Sequence, residues 1–173
     1  MNNFIKDLNQ YISNYDIEKS LFAKGPEIKK RGWLTKDEFL LICLWKSRRP
    51  KQWYKKNTQS RIRKITQAAF LEKDEHKKME FLIQLSGVRI PTASAILSIV
   101  DPKKYPIIDV RCVSSLTKLN AITWSHITIN SWIDYLKVIR RLAKENRKSA
   151  REIEKGLFAY NRMQLDKEYR NLY

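Results

Sequence analysis

Apolar positions three and four residues apart dominate the chain, and that spacing puts them on one face of a helix. Residues 3–15 carry Phe4, Ile5, Leu8, Tyr11, Ile12 and Tyr15 in this register. From Lys24-Gly25-Pro26 to Arg31-Gly32 the pattern lapses into a basic stretch edged by glycines, which predicts a loop. Thr35-Lys36-Asp37-Glu38 then has the form of a capping box. It opens a helix through Phe39-Leu40-Leu41-Ile42-Cys43-Leu44-Trp45, an unbroken apolar run that predicts a central helix. Lys46-Ser47-Arg48-Arg49-Pro50 ends it, because proline biases the residue before it away from helix.

The same reading continues downstream. Asn57 or Thr58 caps a helix with Ile62, Ile65, Ala69 and Phe70 inward, and a further helix runs from about Asp74 to Leu85 with Met79, Leu82 and Ile83 inward. After Gly87 a short helix spans Pro91 to Val100, followed by the loop Asp101-Pro102-Lys103-Lys104-Tyr105-Pro106 and a helix from Val110 to Lys118. Residues 121–130 fit either a loop or a short strand, with Trp124, Ile127 and Ile129 along it. Residues 131–146 form a helix with Trp132, Leu136, Ile139 and Ala143 on one face. Ser149 with Glu152 makes a second capping box, opening a helix with Ile153, Leu157 and Tyr160 inward and a polar tail beyond. The expected fold is an all-α compact helical bundle. It forms one domain over 1–173, because no repeat or low-complexity linker divides it.

Composition narrows this picture. Hydrophobic residues make up 43% of the 173, enough for a core and against disorder. With only 4 Gly and 5 Pro, turns are few, which disfavours a many-stranded β fold. Lys+Arg total 35 against 18 Asp+Glu, a net charge of +17. Such a surface suits a polyanion, because each phosphate contact releases counterions. Solubility and an acidic membrane surface are the alternatives. Cys43 and Cys112 are too few for a disulfide framework, an iron–sulfur cluster or a four-cysteine zinc site. Both fall in apolar helical segments, so buried free thiols are expected, in keeping with a reducing cytoplasm. Met1-Asn2-Asn3 lacks the basic and apolar regions of a signal peptide, and no apolar run reaches spanning length.

The candidate chemistry lies in the middle of the chain. Leu85-Ser86-Gly87-Val88-Arg89-Ile90-Pro91-Thr92-Ala93 reads as a hairpin between two helices. Gly87 supplies a left-handed backbone after the first helix and Pro91 starts the second, where its missing N–H costs nothing. Amides at such a helix start bind phosphate, although an ordinary helical hairpin has the same pattern. Downstream, Tyr105-Pro106-Ile107-Ile108-Asp109-Val110-Arg111 puts Asp109 at a helix N-cap. A purely structural cap is the alternative. A carboxylate there, favoured by the helix dipole, is also what cleavage of an N-glycosidic bond uses to stabilise oxocarbenium charge and direct water.

Residues 82–116 resemble the helix-hairpin-helix-Gly-Pro-Asp superfamily of DNA glycosylases, the group that includes endonuclease III and the 8-oxoguanine glycosylases. There the hairpin reads Leu-Pro-Gly-Val-Gly, a Thr-Ala helix follows, and an apolar strand-like segment delivers the catalytic Asp. The matched positions here are Leu85 to Arg89, Thr92-Ala93 and Asp109, within a helix-hairpin-helix core of about 74–118. The chain also resembles a set of small bacterial proteins sharing its Trp-Lys-Ser and Tyr-Pro-Ile-x-Asp segments, a likeness that bears on fold.

The superfamily resemblance implies double-stranded DNA as partner, Gly87, Val88, Arg89, Pro91, Thr92 and Arg111 as DNA-binding residues, Asp109 as the catalytic carboxylate, and a monomer in the cytoplasm beside the nucleoid. It implies no cofactor and no metal ligand, except a monovalent or divalent cation at the hairpin. Two departures carry weight. Arg89 replaces the second hairpin glycine, and Pro91 stands where lyase members carry a Schiff-base lysine, which implies a monofunctional reaction with water. Lys46, beside the pocket candidate Trp45, is either a substitute for that lysine or a solvated residue at a helix end.

Outside this core, Trp33, Trp53 and Tyr54 lie among Arg31, Arg48, Arg49, Lys51, Lys55 and Lys56. Aromatics interleaved with cations suit stacking on an extruded base, and equally a basic loop anchored to the core by its rings. His76 and His126 lack metal-ligand spacing and are expected at the surface, and Asp101 and Asp134 are expected to pair with nearby lysines. Three functions follow: a DNA glycosylase, a non-catalytic helix-hairpin-helix DNA-binding module, and an interaction domain for an acidic protein.

Overall fold

The structure is a computed structural model that describes residues 19–170, so the helix expected over 3–15 lies outside the described residues. The protein is all-α, and among the described residues there is no strand. In chain order the helices are α1 (Lys19–Ala23), α2 (Gly25–Arg31), α3 (Lys36–Lys46), α4 (Lys51–Lys55), α5 (Gln59–Leu71), α6 (Glu75–Ile83), α7 (Ile90–Val100), α8 (Val110–Lys118), α9 (Ile129–Glu145) and α10 (Ala150–Arg170). None is long and apolar enough to cross a membrane.

Most starts follow the capping chemistry. Thr35 Oγ1 accepts from Glu38 N at 3.2 Å while Thr35 N donates to Glu38 Oε2 at 2.8 Å. Ser149 and Glu152 exchange the same pair of bonds before α10. Thr58, not Asn57, caps α5, and Asp74 caps α6. Helix α9 starts at Ile129, two residues before the expected 131, because Thr128 and Ser131 form a box with serine where Glu or Gln usually stands.

Two stretches expected as loops are helical. Residues 25–31 form α2: Pro26 sits in the first turn with Glu27, Lys29, Lys30 and Arg31 fill the last, and Gly32 closes it at φ 81°. Gly25 marks a close approach instead of a turn, since a Cβ there would collide with the Ile99 carbonyl oxygen. The basic segment after Pro50 winds into the short α4.

The expected centre of the molecule also moves. Helix α3 buries Phe39, Ile42 and Cys43 but leaves Leu41 45% exposed. The central helix is α7, in which Thr92 through Ile99 are all buried. Its small residues let α1, α2, α3 and α6 pack on it closely. Around them runs one hydrophobic core that includes Trp132, Tyr135, Leu136, Ile139 and Leu142 on α9. Each large side chain buried in it contributes about 1.5–3 kcal/mol. Residues 121–128 are irregular, with Trp124 and Ile127 partly buried against the core.

Buried charge is used as helix-end chemistry. Lys78 is 4% exposed, and its Nζ donates to the Ala69 and Glu72 carbonyls at 2.8 and 2.6 Å, closing the C-terminus of α5. Burial holds its ammonium below the usual lysine range.

Candidate functional site

The turn between α6 and α7 is held from α4. Gly87 has φ 82°, and a Cβ on it would stand 2.9 Å from Trp53 Cβ and Tyr54 Cδ1, so α4 rests directly on its backbone. Asn57, fully buried, donates to Ser86 O at 3.0 Å and accepts from Ser86 N at 2.9 Å. Tyr54 is fully buried, and its hydroxyl lies 3.4 Å from Thr92 Oγ1. Arg89, where the resemblance expects glycine, is extended at φ −118°, a conformation open to any residue, and is exposed.

The turn does not offer all the amides expected of it. Val88 N donates to Leu85 O and Thr92 N to Arg89 O, and both side chains are buried. The Gly87, Arg89 and Ile90 amides have no acceptor among the described residues. Three donors at the start of a helix are a ready anion seat.

Asp109 is held at the start of α8. Its Oδ1 accepts from Arg111 N and Cys112 N, each at 3.0 Å. The preceding residues Tyr105 to Ile108 are buried without helix or sheet, so other elements must satisfy their backbone. Ile108 N donates to Ser94 Oγ on α7 at 3.1 Å, Ile107 N to Glu154 Oε2 on α10 at 3.4 Å, and Ile107 O accepts from Tyr135 on α9 at 2.9 Å. Three helices thus aim one carboxylate. Burial pushes the Cys112 thiol beside it well up, as does the Asp109 charge, and Cys43 is raised by burial alone. Both cysteines are free and buried.

Lys46, at the last position of α3, reaches Asp109: Nζ donates to Oδ2 at 3.1 Å, with side-chain exposures of 15% and 18%. The solvated alternative for Lys46 is therefore not realised. Trp45 beside it is partly buried, with Phe22 edge-on at 5.9 Å and the Arg151 guanidinium 6.0 Å from its ring centre. Arg151 also covers Phe22 and is ion-paired to buried Glu154. Arg111 is exposed, with its guanidinium 4.9 Å over Phe158.

The basic aromatic residues separate into distinct roles. The Arg31 and Arg63 guanidinium groups both lie over the Trp33 ring, Tyr54 anchors α4 in the core, and Trp53 remains 49% exposed with Lys56 Nζ 4.1 Å over its ring. Trp53 borders an open cleft of about 790 Å³ along the α6–α7 turn, which reaches neither Trp45 nor Asp109. His126 is exposed and His76 partly so, while Asp101 pairs with Lys29 and Asp134 with Lys137.

The structure therefore joins Asp109 to Lys46, ties the segment before Asp109 to α7 through Ser94, and sets the Gly87–Thr92 turn at the start of that helix. It turns Val88 and Thr92 inward. Ser94, Tyr135, Arg151 and Glu154 carry no local motif, and sequence reading missed them, while Asn57, expected as a possible helix cap, instead holds the Ser86 backbone. No family model, curated protein or solved structure matches the chain.

Proposed function

We propose that the protein is a helix-hairpin-helix DNA glycosylase that excises a damaged or modified base, with Asp109 as its catalytic carboxylate. The observation that carries this reading is the Lys46–Asp109 pair at a helix start, tied through Ile108 and Ser94 to the helix that follows the Gly87 turn. The free amides of Gly87, Arg89 and Ile90, with the exposed Arg89 and Arg111, would grip backbone phosphates. The net charge of +17 suits that partner. Asp109 would then stabilise positive charge at C1′ and direct water to it as the base leaves.

The same pair favours a second reading of the nucleophile. An amine must lose a proton before it attacks, and Asp109 Oδ2 at 3.1 Å is placed to take it from Lys46. The Lys46 nitrogen would bond to C1′ while the C1′–base bond breaks and its electron pair leaves with the base. The C1′–O4′ bond would then break with its electron pair going to O4′, which takes the proton that the nitrogen gives up, and leave an imine, which borohydride reduces to a stable cross-link.

The deciding experiment is base release from duplexes carrying uracil, oxidised, alkylated and hypermodified bases, read by mass spectrometry. Asp109→Asn keeps a good N-cap, so helix α8 is retained. Wild type is expected to release one base, and Asp109→Asn to lose about 10²-fold or more of that rate. Equal release by both removes Asp109 from the mechanism. Salt-sensitive binding without release from any duplex leaves a non-catalytic DNA-binding module. A borohydride cross-link absent in Lys46→Met selects the amine, and full release without a cross-link selects water.

A further inference from the structure

The cleft along the α6–α7 turn lies apart from Asp109 and is not needed for its chemistry. Its floor is apolar, with Ile83, Ile90 and Ile127, while the exposed Arg49 and Arg89 stand on its rim, and among the described residues no carboxylate lines it. A volume of about 790 Å³ falls within the range of small-ligand sites, about 300–1,000 Å³. It has room for about one or two nucleotides and none for a duplex. Trp53 forms one wall. Its Cβ packs on Gly87, yet the residue is 49% exposed and its ring carries the Lys56 ammonium at 4.1 Å. Intact duplex presents phosphates and groove edges, for which an apolar floor and an exposed ring have no use. An unstacked base presents a π face, and stacking on aromatic side chains is how such bases are held.

We propose that this cleft holds an unstacked segment of a DNA strand, with one base on the Trp53 indole and its flanking phosphates on Arg49 and Arg89. The inference rests on DNA as the partner and deepens the reading above. It gives the protein a means of finding disrupted duplex that is separate from base excision.

The test compares binding of the full chain to a fully paired duplex and to the same duplex with a single-base bulge, by fluorescence anisotropy. The bulge is expected to bind about 5- to 150-fold more tightly, the factor that one stacked base supplies. Trp53→Ala should erase that preference while leaving the paired duplex within about two-fold of wild type, and Trp53→Phe should keep most of it. A 2-aminopurine in the bulge should lose fluorescence on binding wild type and keep it with Trp53→Ala, a readout independent of affinity. No bulge preference in wild type, or an undiminished one in Trp53→Ala, overturns the proposal. A Trp53-dependent preference without base release from any duplex keeps this inference and removes the glycosylase reading. Base release with a preference indifferent to Trp53 does the reverse.

Discussion

At the scale of single residues, Gly87 meets two demands at once. Its φ of 82° lies where a Cβ is disfavoured, and a Cβ there would press on Trp53 and Tyr54 at 2.9 Å. Gly87→Ala is therefore expected to destabilise the protein by roughly 2–4 kcal/mol, more than backbone strain alone. Asn tolerates a left-handed backbone but carries the same Cβ, so Gly87→Asn should recover little of the loss. Denaturant midpoints of the three proteins check this. Full recovery by Asn would mean that the contact with α4 is slack. Asp109 shows the same doubling: its Oδ1 is spent on the α8 amides and its Oδ2 on Lys46, so the cap and the candidate chemistry use different oxygens.

At the scale of elements, the start of α3 joins capping to charge. Burial pushes the Glu38 carboxyl up, but the Arg31 guanidinium and the Thr35 hydrogen bonds outweigh it and hold the group below the usual glutamate range. A carboxyl lowered in the folded state contributes stability above its unfolded value, about 4.3. That contribution is lost as the pH falls through the lowered native value. Glu38→Gln can still cap, so it removes the charge and leaves the box. Its melting temperature should fall below wild type at neutral pH, and the gap should close in acid. A gap that does not vary with pH would show that Arg31 adds nothing by charge. The helix over 25–31 teaches a related lesson. Proline inside the start, cations in the last turn and glycine beyond the end were all visible at α2. The lack of an apolar stripe hid them, because Ile28 is the only large apolar side chain that so short a helix buries.

At the scale of the whole molecule, a net charge of +17 surrounds a core in which the charged Lys78, Arg151 and Glu154 are each tied to partners. If DNA contacts 6–10 phosphates, affinity should fall about 10³–10⁵-fold between about 50 and 200 mM salt. Arg89→Ala, at the exposed end of the turn, should lower the log–log slope by about one. Binding measured across that range decides between partners: an affinity indifferent to salt would sink the nucleic-acid reading and favour an apolar protein interface.

The sequence by itself determined the helical class, the caps at Thr35, Asp109 and Ser149, and the left-handed turn at Gly87, and it narrowed the cap of α5 to Asn57 or Thr58. These depend on contacts within about four residues, where spacing along the chain is spacing in space. Only the tertiary structure decided that α7 is the central helix, because burial on every side depends on which neighbours pack there. It alone joined Lys46 to Asp109 across 63 residues, Asn57 to Ser86 across 29 and Glu154 to Ile107 across 47. It also separated Tyr54, buried, from Trp53, exposed, although the two are adjacent aromatics in the same basic run. Pairings at such separations are set by how whole helices stack, and no local pattern of residue types encodes that.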